Sequence, residues 1–236
     1  MSLILVHGTI ASGKSTFLDG LPIKISGHGP LEGTVLKYNT PFDLWRNHFG
    51  VNILDLMYYN PAKYMYDFQL VTISHYIKIY TEIMKHAMLH KRSSEVFFYF
   101  VEDSHYTSCF IYAYDAFLNG FLSEPEFLIL AHLFDLCEHI IKKIKAYVDV
   151  RVVHIQAPLD FCYNNKVKRA RPEERDLTLT ALSRLNHSLL LSNMDTNKVE
   201  PVIGIGDYTY IINGSDIDPK DLVEQFFQLC DLFITK

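Results

Sequence analysis

Residues 8–15 read GTIASGKS, and this stretch decides the fold. It contains a glycine, four variable residues, a second glycine, a lysine and a serine. A short apolar run, Leu3–Val6, precedes it, and a helical pattern begins at Lys14. Glycines in such a turn let backbone N–H groups surround phosphate oxygens, and the N-terminus of the next helix adds its positive dipole end. The stretch therefore predicts a phosphate-binding loop between a strand and a helix.

The loop assigns roles to its polar side chains. Lys14 is expected to reach the β- and γ-phosphates of a nucleoside triphosphate, and the hydroxyl of Ser15 is expected to bind Mg²⁺. The predicted nucleotide-binding residues are Gly8, Thr9, Ile10, Ala11, Ser12, Gly13, Lys14, Ser15 and Thr16.

Outside the loop, short apolar runs alternate with longer helical patterns. Runs rich in Val, Ile, Phe and Tyr without polar alternation are typical of strands buried on both faces of a parallel sheet. The alternation predicts a single α/β domain over residues 1–236, with a mainly parallel sheet covered by helices. The candidate strands are Leu3–Val6, Thr34–Tyr38, Val96–Val101, Val150–Ile155 and Tyr208–Ile212, and the longer candidate helices cover residues 67–88, 123–144 and 218–234.

Composition excludes several classes of protein. The chain is 49% hydrophobic and 21% charged, which favours a folded core over disorder. Its net charge of −5 argues against a general nucleic-acid surface, which needs an excess of Lys and Arg. No apolar run approaches the ~20 residues that span a bilayer, and the N-terminus MSLILVHG lacks the basic region of a signal peptide. We therefore expect a cytoplasmic protein that binds neither nucleic acid nor membrane.

The cysteines and histidines predict no metal centre. The four cysteines form no CxxC pair, and their spacing fits reduced thiols better than a disulfide framework. The histidines form neither HxH nor HExxH. The cysteines are Cys109, Cys137, Cys162 and Cys230.

A second informative stretch is VFFYFVEDSHY, residues 96–106. It reads as a buried strand that ends in two adjacent acids, Glu102 and Asp103. One acid at a strand end is suited to hold a metal ion, whereas two acids beside a phosphate invite repulsion. The pair raises the question of whether both acids take part in catalysis or whether a catalytic activity has been lost.

Several stretches resemble the deoxynucleoside kinase family. From residue 40, TPFDLWRNHFGVNILDLMYYNPAKYMYDFQ is similar to the substrate-binding half of that family, with its E-P-x-x-x-W, N-x-L-x-x-M-Y, P-x-x-W/Y and F-Q patterns. KRARPEER (168–175) resembles its R-x-R-x-E-E lid, FVEDSHY its E-R-S motif and GTIASGKST its phosphate loop. The resemblance implies a P-loop NTPase-type three-layer α/β/α fold with a five-stranded parallel sheet and a helical lid at about residues 165–176.

The resemblance also implies a function, namely ATP-dependent phosphorylation of the 5′-hydroxyl of a deoxynucleoside in nucleotide salvage. ATP and Mg²⁺ would be the cofactors, and two chains would pair as a homodimer through helices. The apolar 123–144 segment would supply that face, unless it is a wholly buried core helix.

The resemblance implies a role for each matching residue. Gln69 would pair with the edge of the nucleobase, and Glu102 would bind Mg²⁺ together with Ser15. The lid arginines would neutralise charge on the transferring phosphoryl group. The implied substrate-binding residues are Thr40, Trp45, Tyr58, Phe68, Gln69, Phe110 and Glu174, and the implied catalytic residues are Lys14, Glu102, Asp103, Arg169 and Arg171.

The sequence departs from the family pattern at the reacting centre. The family's general base, the Glu of E-P-x-x-x-W, is replaced by Thr40, whose hydroxyl cannot act as a base near pH 7. The Arg of E-R-S is replaced by Asp103. Two further arginines of the family become Tyr76 and Asn165.

Three explanations of these departures are open. Asp103, or alternatively Asp43, replaces the missing base, and the protein is an active kinase. Alternatively, the protein binds nucleotides as a regulator or scaffold and scarcely transfers phosphate. In the third explanation the acceptor has changed, for example to a nucleoside monophosphate. The retained phosphate loop, Glu102, Gln69 and lid arginines favour the active kinase.

Overall fold

The structure, a computed structural model, describes residues 1–28, 31–194 and 209–213. These residues form one sheet of six strands between helices. The strands are β1 (Ser2–Gly8), β2 (Lys24–His28), β3 (Leu31–Tyr38), β4 (Phe97–Glu102), β5 (Asp149–Gln156) and β6 (Thr209–Asn213). The helices are α1 (Lys14–Gly20), α2 (Phe42–Arg46), α3 (Ile53–Tyr59), α4 (Pro61–Leu89), α5 (Tyr114–Leu118), α6 (Glu124–Ile144), α7 (Leu159–Arg169) and α8 (Leu179–Met194), with a π-helix at Thr107–Ala113 and a 3₁₀ turn at Pro172–Glu174.

The five predicted parallel strands are confirmed, and their order is β3-β4-β1-β5-β6. Central β1 pairs in parallel with β4 on one side and with β5 on the other. Val6 lies opposite Glu102 in this register. The phosphate loop, which leaves β1 at Gly8, and the acids at the end of β4 therefore meet at one edge of the sheet, where α/β proteins bind ligands.

A sixth strand, β2, was not predicted from the sequence. It pairs antiparallel with β3 at the edge of the sheet, as single strands often do in mainly parallel sheets. Its sequence, KISGH, contains a single apolar residue, Ile25, which is buried. One apolar side chain gives no periodic signal, so the strand could not be recognised from the sequence pattern.

Both faces of the sheet are buried. Leu3 and Leu5 of β1 pack beneath α4 and α6, while Ile4 and Val6 contribute to the opposite cluster with Phe17 of α1. Alternate residues of a strand point to opposite faces, so this division requires a helix layer on each side. The predicted three-layer α/β/α architecture is confirmed.

Helix α6 has one buried and one exposed face. Its start is fixed by the predicted cap, because the backbone N–H of Ser123 donates to Glu126 at 2.8 Å. Phe134 is buried, whereas Leu128 and Ile129 are exposed at 59% and 48%. The alternative that this segment is a wholly buried core helix is therefore wrong.

The cysteines and the longer helices can also be compared with the sequence predictions. Cys109, Cys137 and Cys162 are free and buried, while Cys230 and the predicted helix at 218–234 lie outside the described residues. Helix α4 begins at Pro61, six residues before the predicted start, because proline fits the first turn. No helix in the described part of the chain is long and apolar enough to cross a membrane.

Candidate active site

A cavity of about 580 Å³ lies at the carboxyl ends of β1 and β4. The phosphate loop, the start of α4, the π-helix and the segment after α7 surround it. The predicted site residues that line it are Ile10, Ala11, Gly13, Lys14, Ser15, Thr16, Thr40, Trp45, Tyr58, Phe68, Gln69, Glu102, Asp103, Arg169, Arg171 and Glu174. Such a volume is typical of small-molecule sites.

The backbone of the phosphate loop has the conformation that anion binding requires. Gly13 has φ = 103°, and a Cβ atom added at Gly8 would lie only 2.5 Å from Ser12 Oγ and 2.8 Å from the Ile155 carbonyl oxygen. Neither position tolerates a larger side chain. Lys14 Nζ donates to the carbonyl oxygens of Gly8 and Thr9 at 2.9 and 3.1 Å, which holds the lysine across the loop.

Two asparagines anchor the loop from the helices beside it. The hydroxyl of Thr9 donates to the side-chain oxygen of Asn186 on α8. Asn165 on α7, where the family has an arginine, donates to the carbonyl oxygen of Ala11 at 3.4 Å. The Oγ of Ser12 is buried and has no hydrogen-bond partner among the described residues. The loop is thus anchored on both sides, and the unpaired Ser12 hydroxyl is available to a ligand. Both features fit the binding of a polyphosphate.

Glu102 and Ser15 form an oxygen-rich corner beside the loop. Ser15 Oγ donates to Glu102 Oε1 at 2.5 Å, and the backbone N–H of Thr40 donates to Glu102 Oε2 at 2.9 Å. A hydroxyl and a carboxylate in contact are ligands that suit Mg²⁺, which commonly keeps phosphate oxygens and water in its remaining positions. Thr40 thus contacts this corner through its backbone rather than through the side chain that replaces the family's base.

Asp103 lies in the cavity in a left-handed conformation, with φ = 59°. Its backbone N–H donates to the carbonyl oxygen of Val6 at 2.8 Å. Its Oδ1 lies 3.7 Å from Lys14 Nζ and has no hydrogen-bond partner in the described part of the chain. Burial raises the pKa of the carboxyl group to about 7, with Lys14 opposing the shift and Glu102 adding to it. Such a group can accept a proton near neutral pH.

The other candidate base, Asp43, does not reach the site. It is exposed on α2 and is not among the residues that line the cavity. Of the two candidate bases considered from the sequence, Asp103 is therefore the one whose position allows the role.

The far end of the cavity combines an amide with aromatic rings. Gln69 is buried, and its Oε1 accepts a hydrogen bond from Ser108 Oγ at 2.5 Å. Among the described residues, its Nε2 has a weak contact with the sulfur of Met65 at 3.8 Å. The rings of Trp45 and Phe68 pack edge to face at 5.1 Å beside it. A planar ligand with polar edges fits this end of the cavity.

Phe110 is a predicted site residue that the fold does not bring into the cavity. Its ring packs against Phe134 at 4.4 Å and against Tyr106 at 5.2 Å, on the side away from the cavity lining. Residues two apart in a helix point to nearly opposite sides, so Ser108 and Tyr112 line the cavity whereas Phe110 does not. Tyr112 was missed because the resemblance implies Phe110 as the aromatic substrate-binding residue of this segment.

The predicted lid residues lie together at the end of α7 and in the 3₁₀ turn that follows it. Glu174 binds both arginines, accepting from Arg169 at 2.5 Å and from Arg171 at 3.2 Å. Burial and the charge of Glu174 raise the pKa of the Tyr58 hydroxyl, which indicates that Tyr58 lies close to this carboxylate. Tyr58 and Glu174, two of the implied substrate-binding residues, are therefore neighbours.

Contacts with α2 hold the lid, and these were not predicted. Arg46 donates to both oxygens of Glu173, at 2.7 and 3.2 Å, and the Arg171 guanidinium lies 3.6 Å from the centre of the Phe42 ring. Paired hydrogen bonds of this kind fix geometry as well as charge. The arginine after Trp45 was visible in the sequence, but its partner lies 127 residues away.

The cavity has fewer free positive charges than the family pattern implies. Tyr76, at one of the departed arginine positions, is buried and lines the cavity. Arg184 also lines it but is paired with Asp115 at 3.0 and 3.2 Å. Within the described residues, the other cations that line the cavity are Lys14, Arg169 and Arg171, and both of these arginines are paired with Glu174.

The fold and this cavity define a P-loop nucleotide-binding protein of the α/β class. The family model described as deoxynucleoside kinase matches residues 4–231, so the chain belongs to the deoxynucleoside kinase family.

Known relatives are similar at moderate identity. The chain is 27% identical to human mitochondrial thymidine kinase 2 over 187 residues, which is 79% of this chain and 62% of the human protein. It is 25% identical to the probable deoxycytidine kinase of fowlpox virus over 240 residues, covering 98% of this chain and 89% of the viral one. A thymidine kinase of ictalurid herpesvirus 1 is 35% identical over 74 residues, 31% of this chain and 30% of that protein. The chain thus spans less than two thirds of the human relative.

Proposed function

We propose that the protein transfers the γ-phosphoryl group of ATP to the 5′-hydroxyl of a deoxynucleoside. The observation that carries this proposal is that one continuous cavity joins the phosphate loop, the two acids and the buried amide of Gln69. A triphosphate on the loop and a nucleoside against Gln69 would have their reacting ends near Asp103. Names of the relatives, two thymidine kinases and a probable deoxycytidine kinase, agree with this substrate class.

The acceptor is held at its base and at its sugar. The Gln69 amide offers a donor and an acceptor to the edge of the base, between the rings of Phe68, Trp45 and Tyr112. Tyr58 and Glu174 would bind the 3′-hydroxyl. Because these groups are buried, an acceptor that lacks the matching polar atoms leaves them unpaired and is rejected.

Proton removal falls to Asp103 in this proposal. Its carboxylate accepts the proton of the attacking 5′-hydroxyl, while Lys14, Arg169 and Arg171 neutralise charge on the phosphoryl group. Ser15 and Glu102 fit a Mg²⁺ ion, which would neutralise charge on the polyphosphate when bound. Phosphoryl transfer depends mainly on positioning and electrostatics, so a displaced base is compatible with turnover.

A turnover assay tests the proposal directly. Purified protein is incubated with ATP and Mg²⁺ and with each of the four natural deoxynucleosides, with thymidylate as a further acceptor. Formation of a deoxynucleoside 5′-monophosphate supports the proposal. Product from thymidylate alone would show a changed acceptor, and no product with any acceptor would reject a kinase activity of this class.

A nucleotide-binding regulator is the second candidate, and the replacement of the family's base by Thr40 favours it. The candidate predicts binding of ATP with Mg²⁺ in calorimetry and no turnover. The substitution pair Thr40→Glu and Asp103→Arg, which restores the family pattern, should then raise activity by orders of magnitude. Turnover of a deoxynucleoside by the wild-type protein would reject this candidate.

Pairing of two chains and a cytoplasmic location stay predictions. The exposed apolar side chains of α6, including Leu128, Ile129 and Leu136, support pairing through this helix. Light scattering on the purified protein measures the mass. A dimer that becomes a monomer in Ile129→Glu would support the face, and a wild-type monomer would reject it.

A further inference from the structure

The turn that carries the two acids is held from behind by buried polar contacts. Glu102 and Asp103 line the cavity, whereas the next two residues, Ser104 and His105, are buried and do not line it. The side chains of Ser104 and His105 therefore have no part in the reaction proposed above. Their contacts raise the question of why polar groups occupy this part of the core.

His105 is hydrogen-bonded through both ring nitrogens. Its Nδ1 lies 2.9 Å from the hydroxyl oxygen of Tyr80, and its Nε2 lies 2.7 Å from Glu138 Oε1. An ionised carboxylate only accepts hydrogen bonds, so Nε2 carries the hydrogen. In the neutral ring Nδ1 then accepts, and the Tyr80 hydroxyl donates to it. The three side chains form a directed chain from Tyr80 through His105 to Glu138.

The chain connects the turn to both helices on one face of the sheet. Tyr80 belongs to α4 and is fully buried, and Glu138 belongs to α6 and is 6% exposed. Burying a carboxylate is costly, and apolar residues of similar volume commonly give equal or greater stability. Stability alone is therefore a poor explanation for these polar groups.

Contacts with β1 hold the other side of the turn. His7 Nε2 lies 2.9 Å from Ser104 Oγ, and the backbone N–H of Asp103 donates to Val6. Between these two sides Asp103 keeps its left-handed backbone, which is unfavourable for a residue other than glycine unless its surroundings enforce it. The turn has little freedom to move relative to the phosphate loop.

We propose that His105 is a positioning residue for phosphoryl transfer, which with Tyr80 and Glu138 fixes the turn that presents Glu102 and Asp103 to the phosphate loop. The inference rests on the proposed function of the two acids. It explains how hydrogen bonds from outside the cavity fix their positions. Groups that orient metal ligands and catalytic acids from outside typically contribute about 10- to 100-fold to metal affinity or activity.

A pair of matched substitutions tests the role. Tyr80→Phe removes the hydroxyl at one end of the chain. The control, Tyr99→Phe, removes the hydroxyl of another fully buried tyrosine, which also lies 2.9 Å from a histidine Nδ1, that of His86. Both substitutions break one tyrosine–histidine hydrogen bond in the same core. Only the first bond includes a histidine of the acid-bearing turn.

Two quantities are measured for each variant, namely kcat with ATP and a deoxynucleoside, and the gain in ATP affinity when Mg²⁺ replaces EDTA in calorimetry. We expect Tyr80→Phe to lower kcat about 10- to 100-fold. It should also reduce the gain in ATP affinity that Mg²⁺ gives, called the magnesium gain below, and leave ATP affinity in EDTA unchanged. Tyr99→Phe should keep both quantities. Equal losses in the two variants, or no loss in Tyr80→Phe, would overturn the role.

The design separates this inference from the proposed function. A wild-type protein that binds ATP with Mg²⁺ but shows no turnover would refute the kinase activity, and the magnesium gain alone would then decide the positioning role. A wild-type protein that shows turnover but no gain in ATP affinity with Mg²⁺ would support the kinase activity, and kcat alone would then decide the positioning role. Glu138→Gln, which keeps an acceptor for Nε2, should retain most of kcat, whereas Glu138→Leu should lose it. Equal effects of these two substitutions would also contradict the role.

Discussion

The carboxylate of Asp103 lies 3.7 Å from the ammonium group of Lys14. Burial raises the pKa of that carboxyl group to about 7, so the group can gain or lose a proton near neutral pH. The two adjacent acids are thus unequal. Glu102 accepts hydrogen bonds from the Ser15 hydroxyl and the Thr40 backbone amide. Asp103 can instead bind a proton near neutral pH, and in its protonated form it does not repel a phosphate.

Replacement of Asp103 by asparagine should abolish most of the turnover. The amide keeps the size of the side chain but cannot accept a proton, so kcat should fall about 10²- to 10⁴-fold. Binding of ATP, which depends on the loop and Lys14, should persist in calorimetry.

Asp43→Asn is the matched control, because Asp43 is exposed on α2 and lies outside the cavity lining. It should keep wild-type kcat. In the wild type, kcat/KM should rise with pH through about 7 as the base ionises. A pH profile that is the same in Asp103→Asn would contradict the role.

The same substitution should stabilise the protein at high pH. The pKa of Asp103 is raised from 3.8 to about 7 on folding, so the folded state binds the proton more tightly than the unfolded state. The free energy of unfolding therefore falls as pH rises from about 4 to 7, by up to about 4 kcal/mol in total. Asparagine removes this penalty, and asparagine also tolerates the left-handed backbone.

Urea unfolding at pH 5 and pH 8 measures this effect. The advantage of Asp103→Asn over the wild type should be larger at pH 8 than at pH 5. A variant that is less stable than the wild type at pH 8 would show that the Lys14 contact, rather than burial, dominates the carboxylate.

Ser108→Ala should weaken recognition of the base. The Ser108 hydroxyl fixes the orientation of the Gln69 amide, and the loss of one such hydrogen bond costs about 1 kcal/mol. We expect KM for the deoxynucleoside to rise roughly 5-fold, with KM for ATP unchanged. Ser74→Ala is the control on α4, because the Ser74 hydroxyl bonds only to the carbonyl oxygen of Leu70 among the described residues. An equal rise in both variants would reject the assignment.

The sequence predicted the scaffold better than the walls of the cavity. The phosphate loop is marked by its own spacing, and Glu102 by its place at the end of a strand. Gln69 was implied only by the resemblance to the family. Phe110 was predicted and Tyr112 was missed, because the resemblance to the family, and not a helical period, named the aromatic residue of this segment. Strand β2 has a single apolar residue and therefore no periodic signal. The Arg46–Glu173 contact joins residues 127 positions apart, which no local pattern reveals.

Arg46 should act on activity through the lid. It lies outside the cavity lining, and its two hydrogen bonds to Glu173 fix the turn whose next residue, Glu174, holds Arg169 and Arg171. Lysine keeps the charge but cannot make the paired bonds, so Arg46→Lys should lower kcat/KM about 10-fold or more. Arg175→Lys is the control, since Arg175 is exposed and its pair with the neighbouring Asp176 is also exposed. Steady-state kinetics test this role. If Arg46→Lys keeps the wild-type kcat/KM, the Arg46 contact does not position the lid, and the two arginines are aligned by Glu174 and the Phe42 ring without it.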